Sequence, residues 1–258
     1  METLKARLQR GESVNVCAIG RMFHHNLVQM IGLSGGFQGF WFDLEHTGMS
    51  IQDVEIGAAS ARSVGLDCFV RIAPTDYGIF SRCLETGASG VMAAQVHSAE
   101  QAEQIVQWCK FFPAGRRGMN NGGYDAGFGK LGLAAYCEQA NRETLVIIQI
   151  ESGAAAKSAD AILSVPGVDM LFIGPADLSQ SLGVPGDFMN PKCLEAMDQV
   201  SAACLKHGKP WGVVPIDEKY AALCYSKGCR MFSNAADFRI ISLGLAAVKQ
   251  RFPGQFPS

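Results

Sequence analysis

The sequence predicts a closed (β/α)8 barrel on three observations. Eight short apolar runs alternate with stretches of helical period, glycines stand where helices should end, and no low-complexity linker divides the 258 residues. Such alternation calls for a parallel sheet, and eight units favour closure over the alternative, an open doubly wound sheet. Barrels of about 250 residues are routine as one domain, so residues 1–258 are read as one.

The runs are too short for helices and rich in β-branched and aromatic residues, as strands buried on both faces should be. Run 14–19 precedes a helix near 26–34, and 39–44 precedes one near 52–64. Run 68–72 leads into 77–86, and 90–94 into 99–110. After an irregular segment and a helix near 131–141, run 145–150 leads into 154–164 and 169–173 into 192–207. Runs 211–214 and 230–233 precede helices near 218–227 and 238–252. Gly65, Gly87, Gly208 and Gly228 each stand just before the next strand, where C-cap glycines belong.

Residues 113–130 break the pattern, and so long a Gly- and Asn-rich connection reads as a functional or mobile loop. Its Gly127, Gly129 and Gly132 spell G-x-G-x-x-G, but no buried strand directly precedes them, so a dinucleotide site is not expected. Gly129-Lys130-Leu131 lacks the Ser or Thr that would complete a P-loop.

With 48% hydrophobic residues and 18% charged ones, the chain can bury a full core. A formal charge of -2 and the lack of any dense Lys/Arg run argue against nucleic acid as a partner. The apolar run after the N-terminal charges is too brief for a signal-peptide core or a membrane span, so no membrane association and a cytoplasmic location are expected. The nine cysteines are odd in number and form no Cys-x-x-Cys. Several, such as Cys17, Cys68 and Cys204, sit in apolar patterns and read as reduced, buried thiols.

Chemistry in such barrels collects at the C-terminal ends of the strands. Strand two there ends in Asp43-Leu44-Glu45-His46, strand three in Arg71, strand five in Gln149 and Glu151, strand six in Asp177 and strand eight in Asn234. Singly, each has a structural explanation: an arginine makes salt bridges, a histidine lines walls, and Asp43 can cap a helix. Together at one mouth they would be uncompensated charges without a functional reason. Glu151 and Asp177 are hard oxygen ligands that suit Mg²⁺ or Mn²⁺ with room left for water and substrate. His46, three residues from Asp43, can be oriented by that carboxylate and serve as a general base. Arg71, permanently cationic, can stabilise a developing oxyanion. Base, cation and Lewis acid around one pocket describe enolate chemistry. No lysine ends a strand, which removes Schiff-base catalysis, and no Gly-x-Ser-x-Gly elbow supports a serine hydrolase.

Several segments resemble the HpcH/HpaI aldolase family of metal-dependent class II aldolases. They are Phe42-Asp43-Leu44-Glu45-His46, Val70-Arg71-Ile72, Gly115-Arg116-Arg117-Gly118, Gln149-Ile150-Glu151, and Gly167-Val168-Asp169 through Phe172-Ile173-Gly174-Pro175-Ala176-Asp177-Leu178-Ser179. The resemblance implies a barrel of the phosphoenolpyruvate/pyruvate type whose last helix is exchanged with a neighbour, giving homodimers that assemble into hexamers. It implies that Glu151 and Asp177 hold Mg²⁺, Mn²⁺ or Co²⁺, which also takes the carboxylate and 2-oxo group of pyruvate. Arg71 would then hold the enolate oxygen, and Gln149 would support the bound oxo acid. His46, oriented by Asp43, would move the proton of the substrate's 4-hydroxyl, with Glu45 behind it or on a water. Backbone amides around Gly174, Pro175 and Ala176 would receive the pyruvate carboxylate. The implied reaction is reversible cleavage of a 4-hydroxy-2-oxo acid to pyruvate and an aldehyde.

Where many members carry Trp-Asn-Asp after the strand-three arginine, this chain has Ala73-Pro74-Thr75-Asp76-Tyr77, and the 119–129 loop departs as well. Tyr124 in that loop is therefore expected to close over the aldehyde half. The competing functions are a CoA-ester lyase of the malyl-CoA or citryl type, which would want a more basic mouth, a non-catalytic oxo-acid-binding barrel, and an isomerase or decarboxylase working through the same enolate.

Overall fold

A computed structural model describes residues 2–256. In order, the elements are α1 (Leu4–Gln9), β1 (Val14–Ile19), α2 (His25–Ser34), β2 (Gly39–Asp43), α3 (Ile51–Ser63), β3 (Asp67–Ile72), α4 (Tyr77–Glu85), β4 (Gly90–Ala93), α5 (Ala99–Cys109) and α6 (Leu133–Glu143). There follow β5 (Leu145–Ile150), α7 (Gly153–Lys157), α8 (Ala159–Ser164), β6 (Met170–Ile173), α9 (Pro175–Ser181), α10 (Pro191–His207), β7 (Trp211–Val213), α11 (Glu218–Ser226), β8 (Cys229–Ala236) and α12 (Asp237–Arg251). The eight strands are parallel, each bonded to the next, and β8 closes on β1. The predicted (β/α)8 barrel is the fold.

Several helices begin where side chains satisfy their first amides. Ser50 and Asp53 form a reciprocal capping box at α3, and Ser98 and Asp217 cap α5 and α11, each cap being worth about 1 kcal/mol. Gly208, at φ +62°, ends α10 in the left-handed conformation.

The strands are buried on both faces, and their two-residue period sorts side chains into layers. In β5, Leu145 and Ile147 join the core inside the barrel, while Val146, Ile148 and Ile150 pack outward against the helices. In β2, Trp41 is inside and Phe40 and Phe42 outside; in β3, Phe69 is inside and Cys68, Val70 and Ile72 outside. The same parity turns Asp43, Arg71 and Gln149 inward, one layer above the apolar interior.

Four features differ from the sequence expectation. α1 is an unforeseen plug at the N-terminal end of the barrel. Its Leu4 and Leu8 complete the interior core, each contributing about 1.5–3 kcal/mol by burial. The Leu4 amide donates to the buried Asp67 carboxylate (2.6 Å), and Lys5 pairs with Asp169 (2.8 Å). Six residues show too little period for a sequence pattern to register. The expected helix 154–164 is two, α7 and α8, broken at Ser158, and the short α9 had no sequence signal beyond Pro175.

β8 is longer than 230–233, and the β1–β8 register shifts between Val16 and Cys17. Asn234 falls at that irregularity, is exposed, and donates to Asn15 Oδ1 (2.6 Å) near the start of β1. It does not join the mouth.

The 113–130 segment links α5 to α6 and runs to the opposite end of the barrel from the strand C-termini. Its one regular piece is a 3-10 turn, Tyr124–Ala126. Tyr124 lies there beside Gly87, under the Arg62 guanidinium (3.4 Å to the ring centre). The expectation that it closes over the aldehyde is corrected: within its own chain, the Arg62 stack and the neighbouring Arg117–Asp125 ion pair (2.7 Å) hold it at the far face.

α12 leaves much of its apolar side uncovered. Leu243 is 71% exposed and Leu245 58%, and Phe238, Ile241 and Val248 are also exposed. Among the described residues, no helix is long and apolar enough to cross a membrane.

Candidate active site at the barrel mouth

Register decides the first pairing. Asp43 and Arg71 are direct neighbours across the β2–β3 ladder and both face inward. Arg71 meets Asp43 in a two-pronged fork, Nε to Oδ1 at 3.0 Å and Nη2 to Oδ2 at 2.7 Å, which fixes both the place and the plane of the guanidinium. Its third nitrogen, Nη1, is 3.3 Å from Glu45 Oε2. The Trp41 ring lies 4.9 Å from the guanidinium, anchored by its own N–H donating to Ser233 Oγ (3.0 Å). Burial pushes the Asp43 carboxyl up, but the Arg71 hydrogen bonds and charge, with the amides of His46 and Glu45, outweigh it and hold Asp43 below the usual carboxylate range.

This geometry corrects the expected Asp43–His46 couple. Asp43 Oδ1 accepts from the backbone amides of Glu45 (3.0 Å) and His46 (3.2 Å), and its remaining capacity goes to Arg71. The carboxylate beside the imidazole is Glu45, with Oε2 3.6 Å from His46 Nε2, too long for a hydrogen bond. The His46 side chain is 54% exposed and faces the opening.

The second group comes from β5 and the start of α9. Glu151 Oε2 accepts from the Gln95 amide (3.0 Å), and Gln95 holds an uncommon left-handed φ of +54°. Glu151 Oε1 and Gln149 Oε1 are buried without a hydrogen-bond partner, and Glu45 Oε2 has no hydrogen bond beyond its ion pair with Arg71. Burial first, then the negative charges of Glu45 and Asp177, push the Glu151 carboxyl up to about 7 against the lowering influence of the Gln95 amide and Arg71. Asp177 sits half-buried in the first turn of α9.

Gly174 permits this crowding. A Cβ there would lie 2.9 Å from Gln149 Nε2 and 2.9 Å from Glu151 Oε1. The amides expected around Gly174 to Ala176 are fewer than foreseen, because Gly174 N–H already donates to Ile150 O (3.1 Å) and Pro175 has none. Ala176 and Asp177, in the open first turn of α9, keep theirs.

Asp43, Glu45, Glu151 and Asp177 thus bring four carboxylates to a mouth with one guanidinium, and Glu151 Oε1 and Gln149 Oε1 lack partners. Hard oxygen donors, excess negative charge and orphaned acceptors fit a divalent cation. Among the described residues, no three His, Cys, Asp or Glu side chains stand close enough together to hold a metal ion by themselves. Two carboxylates alone leave most positions around a divalent cation open to water and substrate oxygens.

Residues 34–242 match the family model described as HpcH/HpaI aldolase/citrate lyase. The chain belongs to the HpcH/HpaI aldolase/citrate lyase family. It is 35% identical over 208 residues to 4-hydroxy-4-methyl-2-oxoglutarate aldolase of Hapsidospora irregularis, covering 79% of this chain and 77% of that one. It is 28% identical to hydroxypyruvate/pyruvate aldolase of Roseobacter denitrificans, covering 93% of each. The HpcH/HpaI aldolase structure from Desulfitobacterium hafniense superposes with a TM-score of 0.91 at 28% identity, over 100% of this chain and 99% of that one. Aldolases are carbon–carbon lyases, and this HpcH/HpaI chain is one.

Some of the residues that shape this HpcH/HpaI mouth carried no sequence signal. In the sequence Trp41 is one of three aromatics in its strand, and Gln95 follows a strand without any motif. Asp237, 2% exposed, stands at the start of α12. Its Oδ2 accepts from three successive amides, Gly20 (2.9 Å), Arg21 (2.7 Å) and Met22 (2.7 Å), which ties the start of α12 to the loop after β1. An aspartate closing a strand and opening a helix was the available signal; its partners lie more than two hundred residues away in sequence.

Proposed function

We propose that the chain is a divalent-metal-dependent aldolase that cleaves a 4-hydroxy-2-oxo acid to pyruvate and an aldehyde, and joins them in reverse. The observation that carries this reading is the juxtaposition of the Asp43–Arg71 fork with unpartnered, buried Glu151 Oε1 and Gln149 Oε1. Relatives named for 4-hydroxy-4-methyl-2-oxoglutarate and hydroxypyruvate/pyruvate support the substrate class.

A divalent cation such as Mg²⁺, Mn²⁺ or Co²⁺, held by Glu151 and Asp177, would supply Lewis-acid polarisation of the 2-oxo group. The chain's own groups do the rest. Gln149 orients the oxo acid, and the Ala176 amide receives its carboxylate. His46 takes the proton of the 4-hydroxyl, so C4 becomes the aldehyde carbonyl as the C3–C4 bond breaks. The electron pair of that bond forms the C2–C3 double bond of pyruvate enolate. Arg71, aimed by Asp43, stabilises the negative charge that grows on the C2 oxygen. Glu45 stabilises the imidazolium, and return of its proton to C3 gives the methyl group of pyruvate.

Pyruvate release is measured from a panel of 4-hydroxy-2-oxo acids with Mg²⁺, Mn²⁺ or Co²⁺ and with EDTA. Metal-dependent release abolished by EDTA is the expected result; no release with any metal from folded protein refutes the reading.

The exposed apolar side of α12 supports exchange of this helix between two copies, because each large apolar side chain covered contributes about 1.5–3 kcal/mol. Removing residues 238–258 should then leave a monomer in light scattering, whereas an unchanged assembly refutes the exchange. The nine free cysteines, eight of them buried, support a reducing, cytoplasmic setting.

A further inference from the structure

The Arg71 guanidinium is held at its edge by Asp43 and Glu45, but bonds in its own plane do little to stop it rocking about that edge. Its face is met by Trp41. The ring centre is 4.9 Å from the guanidinium carbon, within reach of a cation–π interaction. Arg71 is 9% exposed and Trp41 6%, so water screens the contact little, and desolvated pairs of this kind are the strong ones.

The barrel's register places the ring. Trp41 stands two residues before Asp43 on β2 and Phe69 two before Arg71 on β3, so both face inward one layer beneath the Asp43–Arg71 fork. Directly opposite each other in the ladder, the two rings lie 6.5 Å apart at an angle of 21°. A third contact comes from β8. Trp41 Nε1 donates to Ser233 Oγ (3.0 Å), although β1 lies between β2 and β8 in the closed barrel. The β1 residue opposite Trp41 is Ala18, whose short side chain leaves the indole a way across.

Packing alone does not ask for a tryptophan here. The other buried residues of the interior core, from Leu4 and Leu8 to Met231, carry no side-chain N–H or O–H. An indole among them brings a donor that costs stability unless it is matched, and Ser233, 3% exposed, is the match. Phenylalanine would fill an apolar layer without either polar group. What the indole–hydroxyl bond adds is a fixed ring plane, and the ring so fixed faces Arg71.

We propose that Trp41, fixed by Ser233, is a positioning residue for Arg71: its ring is a floor that keeps the guanidinium in the plane from which its free N–H groups meet the C2 oxygen of the oxo acid. Neither Trp41 nor Ser233 touches the reacting atoms in this role. Resting on the assignment of Arg71 to the enolate oxygen, the role requires that Trp41 matter to every step that passes through the enolate, proton exchange and carbon–carbon cleavage alike. It should matter little to binding of the oxo acid, which Gln149 and the Ala176 amide hold.

Full-length Trp41→Leu, Trp41→Phe and Ser233→Ala are compared with wild type and with Trp108→Phe, a control whose ring packs on Phe80 between α4 and α5. Pyruvate release and exchange of pyruvate methyl protons in deuterium oxide are measured with Mg²⁺ or Mn²⁺. In 15N-labelled protein with EDTA, solvent exchange of the Arg71 Nε–H is followed by NMR, its signal being the one that Arg71→Lys removes. Trp41→Leu should lower kcat of both reactions about tenfold to thirtyfold, change KM less than about threefold, and speed Nε–H exchange about tenfold or more. Ser233→Ala leaves the ring in place but unanchored, and should move kcat and Nε–H exchange in the same direction. Trp41→Phe keeps a face for the cation and should recover part of the rate lost in Trp41→Leu, while Trp108→Phe should change neither rate nor exchange.

Folded Trp41→Leu and Ser233→Ala proteins with wild-type kcat and wild-type Nε–H exchange overturn the proposal, as does a change confined to KM. Should Trp41→Leu fail to fold, Ser233→Ala and Trp41→Phe carry the test. Wild-type protein that neither releases pyruvate nor exchanges its protons with any metal would instead refute the aldolase reading, and Nε–H exchange would still decide whether Trp41 holds Arg71.

Discussion

Asp43→Asn separates two ways in which this carboxylate could serve the reaction. The Asp43 and Arg71 side chains are 12% and 11% exposed, so solvent does little to screen the pair. Removing one partner of a buried pair costs about 3–5 kcal/mol, but Asn keeps one acceptor oxygen and Glu45 remains 3.3 Å from Nη1, so a stability loss of about 2–3 kcal/mol is expected. The guanidinium then loses one prong of its fork and the charge that aims it. Loss of one aimed donor for a developing oxyanion lowers kcat about 10²–10³-fold, or about 2.7–4 kcal/mol. Two assays decide the mechanism: pyruvate release from a 4-hydroxy-2-oxo acid, and exchange of pyruvate methyl protons with deuterium oxide followed by NMR. If Asp43 acts through Arg71, Asp43→Asn should lose both activities as Arg71→Ala does, and the double variant should fall little below either single one. Had Asp43 acted by orienting His46, its loss would match His46→Ala and add to the loss of Arg71. Near-wild-type exchange in folded Asp43→Asn protein would refute the assigned role.

Glu151→Gln should weaken Mn²⁺ binding at least about tenfold, read by electron paramagnetic resonance of the free ion; unchanged affinity would remove Glu151 from the ligand set. Asp237→Ala strands the amides of Gly20, Arg21 and Met22 and should cost about 3 kcal/mol or more in urea unfolding, whereas a loss under about 1 kcal/mol would mean that water replaces the carboxylate. Lys110, 3% exposed, is pushed down to about 8 by burial and then by the charge of Lys5, from an ordinary value of 10.5. Between those two values the unfolded chain binds more protons than the folded one, so the stability of the wild type relative to Lys110→Met should rise with pH above about 8, by up to about 1.4 kcal/mol per unit. Parallel pH profiles of the two proteins from 8 to 10 would contradict the assignment.

The sequence by itself determined the barrel, because strands buried on both faces and helices buried on one leave different periods in the chain. It also determined which end of each strand carries chemistry: Arg71, Gln149, Glu151 and Asp177 all follow or close apolar runs, and polar groups there have no place in an apolar core. It did not determine partners. Asp43 lies three residues from His46 but beside Arg71 in the ladder, and strand register, a long-range property, chose Arg71. Tyr124 looked like a mouth residue because its loop is long and irregular. The path from α5 to α6 instead carries it to the other end of the barrel, where Arg62 holds it. Gln95 matters through a backbone amide that any residue offers, so no pattern of side chains could mark it, and Asp237 finds its three amides in a loop more than two hundred residues away. Only the tertiary structure sets such contacts, because they depend on which backbone groups the closed barrel leaves without a strand or helix partner.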